Sequence, residues 1–421
     1  MKRILRNIFS VFVLIAISPV LWSCEQDEPD DSPFVDNGSN GEAQSTILIY
    51  ANATNSLSGN LVSDKNEILV AATKFDVEKN NVLVFQSVYE YDENYQRTGN
   101  GLASLIKLVK TTSGYGWETI KEYSYDTAPL NPDRISEVID YTIKKYPAKN
   151  KGLIFWSHST ASDPYFPQTR SEEEGWGLPM AYSFGSDSVI GSGKEYYQIN
   201  VDDLAAVVPD NVFNFIWFDS CYMGNIETIY QFRNKCDYFI GYPTEVLDDG
   251  MPYQYTLPLL VSSEPKIVEA AQRLFVFYNE EYSYHIATIV VVEMNKINVL
   301  ENFCKNVYEG NKQIPSTSSL HRYTNNRQSS GPFYDLGDYT KAVASLNGKT
   351  ISSEEWEEVL SECVIYKDAT TYDFNNNRIN KNNFSGISTY VYRLGDETQK
   401  ERFYESLDWF QAVYPDGTFR N

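Results

Sequence analysis

Apolar positions in this chain recur in two rhythms. Short runs rich in β-branched and aromatic residues, bounded by Asn, Gly, Asp or Ser, predict strands opening the segment 45–57 (STILIYANATNSL) and at 81–92, 151–160, 212–218, 236–246, 285–294 and 384–393, with a further strand near a sheet edge at 101–111. Three- and four-residue spacing predicts helices over 131–150, 200–210, 225–235, 264–282, 297–310, 352–364 and 401–414. The first of these carries its own punctuation. Pro132 stands in the first turn, acids follow it, and Lys144 and Lys145 lie near the end, where the helix dipole favours cations. Asn200 stands where a cap for the second helix is due.

Between 131 and 246 helix and strand alternate, and the strands are apolar on both faces. That pattern predicts an α/β fold, a mostly parallel sheet covered by helices. Residues 263–421 mix helix and strand and read as a C-terminal α+β subdomain completing a core that spans 46–262. The stretch 159–198 is long, polar and without a period, as functional loops often are.

The N-terminus has a different character. Lys2, Arg3 and Arg6 precede an apolar run from Ile8 to Trp22, short for a membrane span and of signal-peptide proportions. It ends in Leu21-Trp22-Ser23-Cys24, which resembles a bacterial lipoprotein cleavage box, with Trp22 bulkier than is usual there. The expectation is a signal peptide over 1–23, lipidation at Cys24 and an acidic flexible tether over 24–45. The protein would then be anchored to the outer membrane of a cell envelope, facing the periplasm or the surface, and touch membrane only through that lipid.

Charge and cysteine content narrow the function further. A formal charge of −22 on 421 residues excludes the basic face that nucleic-acid binding requires. Five cysteines (24, 221, 236, 304 and 363) in so long a chain make no disulfide scaffold, and with only three histidines and no CxxC spacing a zinc site is not expected. No cofactor is implied. Calcium is left open, since Glu172–Glu174 and Asp248–Asp249 are acidic clusters, although neither has the spacing of a calcium loop.

Two strands run into reactive side chains. "LIFWSHS" ends at His158, and "FIWFDSC" leads through Asp219 and Ser220 to Cys221. The carboxyl ends of parallel strands line one edge of the sheet, where sites collect, and strands separated by one crossover are commonly neighbours. A thiol needs a base to become a strong nucleophile, and imidazole supplies it. The placement therefore fits Cys–His nucleophilic catalysis.

The flanking sequence sharpens this. The segments "GLIFWSHS", "FIWFDSCYMGNIETIYQF" and "CDYFIGYPTEVLDDGMPY" together resemble the clostripain family of cysteine peptidases, whose fold is caspase-like. Residues matching the family pattern are His158, Asp219, Ser220, Cys221, Met223, Glu227, Pro243, Glu245, Gly250 and Tyr253; "TILIYANATNSL", "FYDLGDY" and "FSGISTYVY" extend the match to both ends. The resemblance implies an endopeptidase in which Cys221 attacks the scissile carbonyl and His158 handles the proton. Backbone N–H groups of Cys221 and Ser159 would form the oxyanion hole. Asp219 would be the base of a pocket selecting peptide or protein substrates with Arg or Lys before the cleaved bond, unless it merely caps the helix starting near Gly224. Arg170, in the polar loop, is a possible self-cleavage point. One departure matters: the family usually has Gly after the catalytic histidine, and this chain has Ser159. That leaves an alternative, a catalytically degenerate surface lipoprotein that binds peptides or another envelope component. His285, at the start of a strand, and His321, in a polar loop, are expected to be incidental.

Overall fold

The structure, a computed structural model, describes residues 42–91, 97–125, 129–159, 184–185, 198–311, 313–323, 333–391 and 398–414. Nine strands form one sheet: β1 (Ala43–Ala53), β2 (Asn80–Tyr91), β3 (Arg97–Thr111), β4 (Gly114–Tyr123), β5 (Ala148–Trp156), β6 (Phe213–Asp219), β7 (Cys236–Gly241), β8 (Thr288–Glu293) and β10 (Val364–Ala369). Two short strands, β9 (Phe333–Asp335) and β11 (Ser388–Tyr390), pair antiparallel apart from it. The order is β10-β8-β7-β6-β5-β1-β2-β3-β4, with β2, β1, β5, β6 and β7 mutually parallel and antiparallel strands on both flanks. Strands from both sides of position 262 thus build the same sheet.

The helices are α1 (Ser58–Ala71), α2 (Pro132–Lys145), α3 (Val201–Val207), α4 (Ile226–Gln231), α5 (Tyr253–Leu260), α6 (Ile267–Val276), α7 (Ile297–Tyr308), α8 (Leu336–Leu346), α9 (Ser353–Cys363), α10 (Thr398–Ser406) and α11 (Asp408–Val413). Alternation along each central strand assigns side chains to two cores. Leu48, Tyr50, Leu153, Phe155, Ile216, Phe218 and Phe239 pack with residues of α2, α3, α4 and α7. Ile47, Ile49, Ile154, Trp156, Phe215, Trp217 and Ile240 pack with those of α1, α5 and α6. Both faces of the parallel strands are buried, so the continuous apolar runs are explained.

The punctuation of α2 is realised: Asn131 accepts the Asp133 N–H at 2.8 Å and Pro132 opens the helix. At α3 the cap expectation is corrected. Asn200 has the extended N-cap conformation, but its side chain accepts no N–H of the first turn. His285 also falls before its strand, which begins at Thr288; its Nδ1 lies 2.7 Å from the Asn279 carbonyl oxygen. Six other elements, α1, β4, α5, β9, α8 and β10, are not among those predicted from the sequence. Helix α1 buries Leu61, Asp64, Ile68 and Ala71, an apolar stripe with an acid inside it. Helix α5 contains Pro258, and β4 and β10 are partly exposed edge strands.

Candidate active site

Strands β5 and β6 are direct neighbours, and Trp156 pairs in register with Asp219. His158 and Cys221 each lie two residues beyond that pair, at the carboxyl edge of the parallel sheet. The two loops are joined directly, because the Ser159 hydroxyl donates to the Cys221 carbonyl oxygen. Beyond His158 the chain is steadied by Gly185 N–H, which donates to the His158 carbonyl at 2.7 Å. The structure thus brings together His158, Ser159, Asp219 and Cys221. Cys24 and Arg170, by contrast, lie outside the described residues, as do Glu172–Glu174.

Cys221 is half-buried, while Cys236, Cys304 and Cys363 are buried free thiols in the core. The Val246 N–H points at Cys221 Sγ from 3.5 Å, and the Val246 carbonyl lies 3.9 Å away. Burial pushes the Cys221 thiol up to about 12, partly offset by that N–H and reinforced by the charges of Glu245 and Asp219. The thiol therefore keeps its proton at neutral pH until a base removes it. His158 is suited to do so. Burial lowers its affinity for a proton, against a smaller opposing pull from Asp248, so the imidazole is neutral and able to accept. Its Nε2 lies 2.8 Å from Ser56 Oγ. No hydrogen bond joins His158 to Cys221 among the described residues, as is common before substrate arrives.

The turn after Cys221 is strained and tightly packed. Tyr222 has φ of 59°, unusual for a residue with a side chain, and its N–H donates to the Thr244 carbonyl at 2.9 Å. A Cβ at Gly224 would meet the backbone of Tyr242 and Pro243 at 2.7 Å, so only glycine fits there. Helix α4 then starts at Ile226, capped by Asn225, which accepts the Thr228 N–H at 2.9 Å.

Asp219 therefore has no capping role. It is buried, and its Oδ2 accepts from Met251 N–H at 3.1 Å and from the Tyr253 hydroxyl at 3.0 Å. Its Oδ1 has no hydrogen-bond donor among the described residues. Burial raises this carboxyl to about 6, the two hydrogen bonds limiting the rise, so it is mostly ionised at neutral pH. Asp219 lines a narrow gap with Tyr242, Val246, Gly250, Leu274 and Tyr278, whose open space of about 10 Å³ holds little more than a water in the free protein. Gly250 has φ of +61°, and a Cβ there would approach Asp219 Oδ2 to 3.1 Å. The motif glycine is required by both the turn and the carboxylate.

Sequence reasoning missed Ser56, Val246, Asp64 and Glu67 around this site. The first two act through position in loops, which periodicity does not encode. The acids of α1 carry a signal, since Asp64 occupies a position where the helix's apolar stripe calls for a core residue. Among the described residues no group of three or more His, Cys, Asp or Glu side chains is placed to hold a metal ion, and no helix is long and apolar enough to cross a membrane.

The chain is similar in fold to several solved proteases. A secreted C11 cysteine protease from Bacteroides thetaiotaomicron, bound to an irreversible peptide inhibitor, superposes with a TM-score of 0.71 at 24% identity, covering 89% of this chain and 99% of that one. An inactive zymogen C11 protease from Parabacteroides distasonis gives 0.69 at 25% identity, with 89% and 99% covered. Another solved structure of a secreted C11 cysteine protease from B. thetaiotaomicron, iotapain, gives 0.67 at 20% identity, with 89% and 100% covered. No curated protein matches the sequence. The clostripain family model of C11 peptidases matches residues 49–416, nearly all of the chain after its N-terminal segment. With that match and this fold, the chain belongs to the clostripain family of cysteine peptidases.

Proposed function

We propose that this protein is a cysteine endopeptidase that cleaves after Arg or Lys through a Cys221–His158 dyad. The observation that carries the reading is the ionisable, buried Asp219. Its Oδ1 has no donor among the described residues, and Asp219 lines a narrow gap two residues along the chain from the half-buried thiol, a gap that the 243–250 loop must widen to admit a side chain. A guanidinium or ammonium group supplies the donors that this oxygen lacks. With the side chain held there, the following carbonyl comes to Cys221. His158 takes the thiol proton as sulfur attacks, and later gives it to the leaving amine. The N–H groups of Cys221 and Ser159 serve the developing oxyanion.

The departure at Ser159 is compatible with this scheme. Its backbone still offers an N–H, and its hydroxyl is engaged by the Cys221 carbonyl rather than pointing at the nucleophile. The degenerate, binding-only reading draws on a different observation, the Val246 backbone packed against Sγ. Displacement of the 243–250 loop, by substrate or by cleavage at Arg170, would uncover the sulfur. We further infer that the mature protein is tethered through a lipid on Cys24 in the cell envelope, with peptides or proteins as its substrates.

The test is turnover of a fluorogenic peptide ending in Arg, run with reduced protein, with and without calcium. Wild type is expected to cleave it, Cys221→Ala to lose at least about 10³-fold, and Asp219→Asn to lose about 10²-fold on Arg while neutral peptides change little. Peptide binding without cleavage by the folded wild type would establish the binding-only reading instead.

A further inference from the structure

We propose that Asp64, on α1, is a second carboxyl of the specificity pocket. It holds a proton beneath Asp219 in the free protein and releases it to solvent when a cationic side chain enters. The inference rests on the reading of Asp219 as the pocket's anion and adds a coupled proton to it.

The geometry begins with Trp156. Its Nε1–H donates to Asp64 Oδ2 at 2.8 Å, and Trp156 pairs in register with Asp219 on the neighbouring parallel strand. Registered residues of a parallel pair project to the same face, so the indole and the Asp219 carboxylate stand side by side with Asp64 below. Asp64 is 4% exposed and sits in the α1 stripe between Leu61 and Ile68. A leucine there would complete the packing. A buried acid without a cation in that place is costly for stability and calls for another role.

The groups facing Asp64 are acidic or neutral on every side. Glu67 shares its helix, Asp219 ends β6, Asp249 lies in the loop before α5, and Tyr253 begins α5. The lysine next to it in sequence, Lys65, turns instead to Gln86 Oε1 at 2.8 Å. Burial, then the charges of Asp219 and Glu67, raise Asp64 to about 9, opposed by the Trp156 N–H. Two buried acceptor atoms in this cluster, Asp219 Oδ1 and Glu67 Oε2, have no donor among the described residues. Glu67 itself receives backbone N–H groups from Gln254 and Tyr253, the same segment that supplies the Tyr253 hydroxyl to Asp219. A multi-donor cation is what the cluster lacks.

The sign of the coupling follows. Between about pH 6 and 9 Asp219 is ionised and Asp64 protonated. A cation arriving above them favours the ionised form of Asp64. The O–H bond of the Asp64 carboxyl breaks, the proton passes to bulk water or buffer, and the pocket gains a second negative charge. Affinity for Arg or Lys side chains then rises with pH across this window, by at most about tenfold per pH unit for one proton. Burial holds His158 below its ordinary value, so at pH 8 it is not the source of a released proton.

Calorimetry tests this on the full-length Cys221→Ala protein, titrated at pH 8 with acetyl-Ala-Ala-Arg-amide in phosphate and in Tris, whose ionisation heats differ. The parent is expected to release roughly half to one proton per peptide bound. Asp64→Asn keeps an acceptor for the indole and is expected to bind the peptide with almost no release; equal release in the two proteins overturns the proposal. Difference infrared spectroscopy of the parent needs no Asp64 variant. Loss of a protonated-carboxyl C=O band on adding peptide supports the proposal, and an unchanged band overturns it. Asp219→Asn separates the two readings. Lost binding there keeps Asp219 as the pocket's anion whatever Asp64 does, whereas undiminished binding removes the pocket reading and this inference with it.

Discussion

On the face of the sheet covered by α2, α3 and α4, rings fill the space. Phe155 stacks on Phe218 at 5.0 Å between centroids, and Phe184, Phe232 and Phe239 meet Phe218 edge-on or tilted within 6 Å. On the face covered by α1, α5 and α6 the same two strands end in Trp156 and Asp219, with Asp64, Tyr253 and Tyr242 buried around them. Strand for strand the sheet is the same, yet one face is packed for stability and the other carries buried carboxyls at its rim. The difference teaches where recognition is to be sought. Burying carboxyls lowers stability unless they are paired, hydrogen-bonded or protonated; Glu227 and Asp335 are also buried but accept several donors, whereas Asp219 Oδ1, near the thiol, has none among the described residues.

Substitutions on the two faces should therefore behave differently. The largest effect expected is on the ring face. Phe218→Ala should lower unfolding free energy by about 3–5 kcal/mol, read by chemical denaturation, while leaving preference among peptides unchanged in whatever protein remains folded. A shift in preference would mean that the two faces are not separate in function.

Next comes the acidic face. Asp64 has a folded-state pKa raised above its ordinary value, so its contribution is fully present below about pH 4 and is lost as pH rises through about 9. Asp219 adds the same sign over a narrower window that ends near pH 6. Melting temperature of the wild type should accordingly fall between pH 6 and 9, with a slope of at most about 1.4 kcal/mol per pH unit from Asp64. Asp64→Asn should flatten that slope and raise stability at pH 9. A slope identical in both proteins would place the titration elsewhere.

The smallest effect is at the turn beneath the pocket. Gly250→Ala must hold a side chain at φ of +61° with its Cβ against Asp219 Oδ2. A penalty of about 1–2 kcal/mol is expected, together with a raised KM for Arg peptides and little change in kcat. An unchanged KM would mean that the 247–250 turn does not shape the pocket.

Much of this architecture was legible beforehand, and the reasons are local. The parallel core announces itself because strands buried on both faces leave long apolar runs, as in "LIFW" and "FNFIWF". Helix α2 carries Pro132, early acids and terminal lysines in the right places. His158, Asp219 and Cys221 stand out as polar residues that directly follow such runs. The obscure parts have physical causes too. Helix α1 hides because Asp64 interrupts its apolar stripe, and α5 because Pro258 breaks the expected pattern. Ser56 and Val246 reach the two reactive side chains from loops, and nothing in the spacing of a sequence foretells which loops meet. His321 is partly buried, and its Nε2 has no hydrogen-bond partner among the described residues, a detail that its polar surroundings in sequence do not suggest.

The central claim is that the thiol at the end of β6 is the nucleophile and the imidazole at the end of β5 is its base. The most direct measurement is mass spectrometry of the reduced, folded protein after brief exposure to a peptidyl-arginine ketone electrophile. A single adduct on Cys221, absent from Cys221→Ala and at least about tenfold slower to form in His158→Ala, is the expected result. An adduct on Cys236, Cys304 or Cys363 instead, or labelling of Cys221 at the same rate without His158, would contradict the account.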